Sequence, residues 1–139
     1  MISDVLTALQ LDGELAALLT GGMYAETMIN RQDTPEAFDA NGEIRPCLLL
    51  NQDTVTQQGP YIEAETGISA RLYLRIFFYQ RAGYDVIGQA ASRVRQLLHM
   101  ERIGAGVWEI AWNYDVPNVR DQGLDCSLRM SVYQVTQRL

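Results

Sequence analysis

Nucleophilic or metal chemistry in this chain would have to be built from one histidine, His99, and two cysteines, Cys47 and Cys126. A Ser-His-Asp or Cys-His site needs an imidazole acting as base beside an activated nucleophile. His99 falls late in a helical pattern, and no Gly-x-Ser-x-Gly elbow supplies a serine. It reads as a polar residue at a helix end. Metal sites need several His, Cys or carboxylate ligands converging on one point. One histidine and two cysteines inside apolar runs do not supply them. Glu63 and Glu65 fall on one strand face and would suit a paired-carboxylate device. A solvated edge strand that resists sheet-to-sheet pairing accounts for them more simply. Gly104-x-Gly106 lacks the third glycine and the lysine of a phosphate-cradling loop, and reads as a turn. The expectation is a chain with no catalytic, metal or cofactor-binding residues, and not an enzyme.

The residues that do stand out lie on strands. In 69–79, Leu72, Leu74, Ile76 and Phe78 alternate with Arg71, Tyr73, Arg75, Phe77 and Tyr79. In 124–135, Leu124, Cys126, Leu128, Met130 and Val132 form one face, and the other carries Asp125, Arg129 and Tyr133. Placing the apolar rows together under a helix leaves Arg71, Tyr73, Arg75, Tyr79, Arg129 and Tyr133 on the second sheet face as a candidate oligomer interface. Arg and Tyr are enriched at interfaces because they combine apolar area with fixed polar tips. The alternative is a solvated face with snorkelling arginines.

The elements that must hold this face follow from periodicity. Residues 84–99 read as a helix, with Ile87, Ala90, Ala91, Val94, Leu97 and Leu98 at three- and four-residue steps. Asp85 suits its positive start and His99 its negative end. The N-terminus reads as helix capped by Ser3 or Asp4, broken at Asp12-Gly13, where Asp12 caps a second helix, and ended by Gly21-Gly22. Residues 25–45 have loop chemistry with one helical turn at Thr34-Pro35-Glu36, and read as a long mobile loop that supplies little core. Residues 47–51 read as a strand after Pro46, 55–65 as a second strand or hairpin arm containing Gly59-Pro60, and 107–114 as a strand with Trp108, Ile110, Trp112 and Tyr114 on one face. A polar turn is expected at 118–123. Adjacent strands with few helices predict an α+β fold: a single antiparallel or mixed sheet with helices packed on one face, the whole chain 1–139 being one domain.

At 139 residues and 47% apolar content the chain can bury a core without staples. Its net charge is −6 and all eleven basic residues are arginine. An acidic chain is a poor candidate for sequence-independent nucleic-acid binding, which needs a basic face to displace counterions. Both cysteines sit in strand-like runs and are expected to be buried, reduced thiols. No leader pattern and no run of bilayer length is present in the sequence, so a reducing cytoplasm is the expected site of synthesis and no membrane partner is expected.

The order and spacing of these features resemble the tail terminator and tail-completion (tail-to-head joining) proteins of long-tailed bacteriophages and gene transfer agents. The resemblance is carried by Leu15-Ala-Ala-Leu-Leu-Thr-Gly-Gly-Met23-Tyr24, by Pro46-Cys47-Leu48-Leu49-Leu50, by a Tyr/Phe-rich strand feeding a Val86-Ile87…Val94…Leu97-Leu98 helix, and by a last strand after Arg120-Asp121-Gln122-Gly123. It implies a structural virion protein of the tail or neck that forms a homo-oligomeric ring, a hexamer. The ring would cap the tail tube protein and dock on the head-tail connector protein. DNA would pass through the lumen without specific binding, which suits an acidic subunit. No catalytic residue or cofactor comes with the family. Two other readings stay open. One is another neck ring, a head-closure or adaptor protein. The other is a small cytoplasmic enzyme or ligand-binding domain with a pocket lined by Trp108, Trp112 and Tyr114.

Overall fold

A computed structural model describes residues 1–53, 56–57 and 69–138. Three helices, α1 (Ile2–Gln10), α2 (Gly13–Leu18) and α3 (Asp85–Leu98), accompany six strands: β1 (Met23–Ala25), β2 (Cys47–Gln52), β3 (Thr56–Gln57), β4 (Ser69–Gln80), β5 (Val107–Asp121) and β6 (Cys126–Arg138). The strands form one sheet in the order β1-β2-β4-β6-β5, with β3 also pairing with β4. β1 runs parallel to β2 and every other pair is antiparallel. The fold is the expected α+β, with a mixed sheet.

The N-terminal break falls where Asp12-Gly13 places it. Asp12 caps α2 by accepting the Leu15 N–H at 2.9 Å. Neither Ser3 nor Asp4 caps α1, which begins at Ile2 and contains both residues. Gly21 and Gly22 then turn the chain into β1. Gly22 has φ +95, and a Cβ on Gly21 would stand 2.9 Å from the Pro46 carbonyl oxygen, which the Gly21 N–H approaches to 2.8 Å.

All three helices cover one sheet face. Val5, Leu9 and Leu15 join Ile87, Ala90, Ala91, Val94 and Leu98 over Leu48, Leu50, Leu72, Leu74, Ile76 and Phe78 in one buried cluster. The contribution of β6 is the reverse of the expected one. Leu74 is paired with Tyr133 and Leu72 with Val135, so the odd-numbered residues of β6 face the helices. Tyr133 and Val135 are buried in that core, whereas Leu128 and Met130 lie opposite Tyr79 and Phe77 on the other face. The alternation was legible, but the cross-strand register decides which half of it meets the helices.

The second face is not bare. Ile29, Ala37 and Ile44 pack with Cys47, Leu49, Tyr79 and Cys126 in a second buried cluster. The segment between β1 and β2 therefore supplies core. Thr34 is buried, its hydroxyl bonded to both the N–H and the C=O of Asn30, and Arg31 bonds the Gly42 carbonyl and stacks over Phe38. The helical turn at Pro35–Ala37 is a single 3-10 turn. The hairpin arm at 55–65 is described only at Thr56 and Gln57, which pair with β4; Glu63 and Glu65 lie outside the described residues.

β5 is longer than its pattern suggests. It runs on through Pro117 to Asp121, with register shifts at 107–109, 112–114 and 116–119. Each shift absorbs residues that would break a regular ladder.

Candidate interaction surface

Of the six candidate interface residues, the structure groups three. Arg71, Tyr73 and Arg75 lie on the helix-free face of β4, where Arg75 forms an ion pair with Asp53 at 2.7 Å. Tyr79 shares the face but is 7% exposed beneath the 26–45 segment, and burial pushes its phenol far above the ordinary range. Arg129 and Tyr133 are on the opposite face, for the register reason given above. Tyr133 is fully buried, and its hydroxyl has no partner among the described residues.

Two hollows mark the helix-free face. One, of about 290 Å³, is bounded by Asp53, Tyr73, Arg75, Asn113, Tyr114 and Val132. The other, of about 490 Å³, runs between Met28, Ile29, Leu49, Phe77 and Leu124. Met28 is 71% exposed at its rim. Both hollows are open; the first is of mixed polarity and the second mainly apolar, and open hollows of this kind suit a protein surface better than a small-molecule pocket.

The aromatic pocket of Trp108, Trp112 and Tyr114 that the alternative ligand-binding reading requires does not form. The bulge between Trp112 and Tyr114 turns them apart. Trp112 lies opposite Tyr133 on the helix face, and Tyr114 lies opposite Val132 on the other. Trp108 and Tyr114 are both 45% exposed.

Sequence reasoning missed the most elaborate polar cluster, which is centred on Asp115 in β5. Its Oδ2 accepts from Arg129 Nη2 at 2.7 Å, Arg129 Nε at 3.2 Å and Arg95 Nη2 at 3.2 Å, while Oδ1 accepts from Trp112 Nε1 at 2.8 Å. Arg95 also stacks on the Trp112 ring at 4.2 Å. The Asp115 side chain is 8% exposed. Burial alone would raise its pKa, but hydrogen bonds from Trp112 and Arg129 and the charge of Arg129 outweigh that and hold it below the usual carboxylate value. A carboxylate set among the aromatic residues of a strand was the available signal. The cluster ties the C-terminal half of α3 to β5 and β6, and its groups are engaged with one another. It reads as a structural clasp.

His99 lies just past the end of α3, where its Nδ1 accepts the Trp112 N–H at 3.0 Å. Cys47 and Cys126 are buried, and burial pushes their thiols up to about 12 and about 11. At the start of α3, Gln80 donates to Asp85 Oδ1 at 2.6 Å and accepts the Ile87 N–H at 3.1 Å. That hydrogen bond, with backbone donors, lowers the Asp85 pKa. Among the described residues no three His, Cys, Asp or Glu side chains gather into a metal-binding group, and no helix is long and apolar enough to cross a membrane.

No family model matches the sequence, and no curated protein matches it. Among solved structures, a chain of the virion of a native gene transfer agent (GTA) particle is similar to this one with a TM-score of 0.73 and 17% identity, covering 97% of this chain and 92% of that chain. At that identity the likeness is one of fold, and it extends over nearly the whole of both chains.

Proposed function

We propose that this chain is a structural subunit of a phage-like particle and that, within it, the chain is the tail terminator. In this reading copies close into a ring, a hexamer, that caps the tail tube protein and joins it to the head-tail connector protein, and DNA crosses the lumen without specific binding. The observation that carries the reading is the near end-to-end correspondence of fold with a chain of a gene transfer agent virion. The net charge of −6 agrees with a lumen that does not retain DNA. The accessible part of the second sheet face, the half-buried Arg71 and Tyr73 and the exposed Arg75 beside Tyr114, is the surface we assign to subunit contact.

Light scattering on the purified chain tests the ring: a discrete mass of about six copies is expected. A monomer at every concentration would remove the proposal. Arg75→Glu tests the surface. Arg75 is exposed and its partner Asp53 is on the surface too, so the fold should survive while like charges disrupt the contact. The expected result is an unchanged circular dichroism spectrum with the mass of a single subunit. A variant that keeps the wild-type mass would show that copies meet elsewhere. To test the terminator role, the ring is added to polymerising tail-tube protein, where it should arrest tube growth.

A further inference from the structure

An edge strand leaves a row of backbone N–H and C=O groups open to pairing with another chain. β5 is such a strand, with β6 on one side and no strand on the other among the described residues. It also carries the exposed aromatics Trp108, Trp112 and Tyr114. A long aromatic edge of this kind is an invitation to sheet extension, yet its outer groups are occupied at Ile110 and Trp112 and its register is broken beyond them.

The Met100 N–H donates to the Ile110 carbonyl at 2.7 Å, and the Ile110 N–H donates to the Glu101 carbonyl at 3.0 Å. Together they form an isolated bridge at the outer edge. The next N–H, of Trp112, is taken by the His99 ring at 3.0 Å. A side chain ends the pairing there, so no incoming strand can continue it. Beyond Trp112 the register breaks twice, at 112–114 and at 116–119. Within the second break Pro117 brings no N–H at all, and Asn118 adopts a left-handed φ of 56. A partner strand needs donors and acceptors at regular spacing, and this edge offers none over any useful length. The opposite edge, β1, is three residues long, and its Met23 carbonyl accepts Gln10 Nε2 at 3.5 Å.

We infer that the outer edge of β5 is built to refuse strand addition, so that copies of this chain meet through side chains and not through a shared sheet. The second half of this inference rests on the assembly reading above; the closed edge is a property of the single subunit. It allows aromatic residues to stay exposed beside an edge without open-ended polymerisation, which a closed assembly must avoid.

The test reopens the edge with the double substitution His99→Val and Pro117→Val, which frees the Trp112 N–H and adds a donor at 117. Light scattering, thioflavin fluorescence and circular dichroism are recorded over a concentration series for the variant and the wild type. The variant should keep its dichroism spectrum while its mass rises without plateau and thioflavin fluorescence appears; the wild type should hold a fixed mass. A folded variant with the wild-type mass at all concentrations would overturn the inference. Amide exchange on the wild type gives a second measurement that needs no folded variant. Concentrating the protein should add no protection over 118–121, which lie away from the contact assigned around Tyr114, and a gain there would equally overturn the inference. A wild type that remains monomeric would remove the ring and, with it, the second half of the inference, while the variant comparison still decides the closed edge.

Discussion

Replacing Asp115 by Asn keeps the shape of the residue and removes its charge from beneath two guanidinium groups. Asp115 accepts four N–H groups from three residues, at 2.7, 3.2, 3.2 and 2.8 Å. The Asn oxygen can still accept from one side of the cluster. Its amide NH2 must then face the other side, where it meets donors. Arg129, with 21% of its side chain exposed, is left without its counter-ion. Hydrogen bonds to charged groups contribute about 1.5–3 kcal/mol each, and removing one partner of a buried pair costs about 3–5 kcal/mol. Arg95 is 39% exposed and can recover water, so the lower end applies: a loss of about 3 kcal/mol in urea unfolding at neutral pH. The pH dependence follows from the depressed pKa. The folded carboxyl holds its proton less tightly than the unfolded one, so its contribution is complete above the unfolded value and is lost as pH falls through the folded value. The gap between wild type and variant should therefore be constant above roughly pH 5 and narrow below it. A loss under about 1 kcal/mol, or a gap that does not change in acid, would show that the clasp is a solvated ion pair of little consequence.

The other expectations are more direct. Leu74→Ala empties a fully buried site between α3 and the sheet and should lower stability by about 2–5 kcal/mol, whereas a change below about 0.5 kcal/mol in a denaturant titration would mean the site is not in the core. Cys47 and Cys126 should react with a thiol reagent only after denaturant is added, because both are buried and their thiols are pushed up to about 12 and about 11; prompt native-state labelling of either would contradict this. In the segment between β1 and β2, amides with internal acceptors, such as Thr34 bonded to Asn30 and Arg45 bonded to Ala37, should be protected from exchange; rapid exchange throughout would return 25–45 to the mobile loop that its composition suggests.

What the sequence made legible was local. The alternation in β4, the three- and four-residue steps of α3 and the Asp12 cap depend on neighbours within a few residues, and each is where the pattern puts it. What it concealed depends on distant pairing. The facing of β6 is decided by Leu74 meeting Tyr133, a register that no period within β6 encodes. The length of β5 was hidden because Pro117 and Asn118 look like a stop, and only bulges against β6 let the strand continue. The 26–45 segment has loop composition, but Ile29, Ala37 and Ile44 find a sheet face already made apolar by Leu49, Tyr79 and Cys126. Arg129 and Tyr133 lie on the helix face, opposite Phe78 and Leu74, for the same register reason that puts Leu128 and Met130 on the other.

The Gln80 clamp has a further consequence, for the order in which the chain gains structure. One side chain fastens the end of β4 to the start of α3 through Asp85 and the Ile87 N–H, and these residues are close in sequence. β4 lies at the centre of the sheet, but its neighbour β6 is reached only after α3 and β5. Joining β4 to β6 therefore closes a long loop, a slow and entropically costly step, whereas folding α3 back onto β4 closes a short one. The strand–helix pair, like the β5–β6 hairpin across residues 122–125, is a piece that can form early. Until β6 arrives, α3 gives the apolar row of Leu72, Leu74, Ile76 and Phe78 a partner from the same stretch of chain.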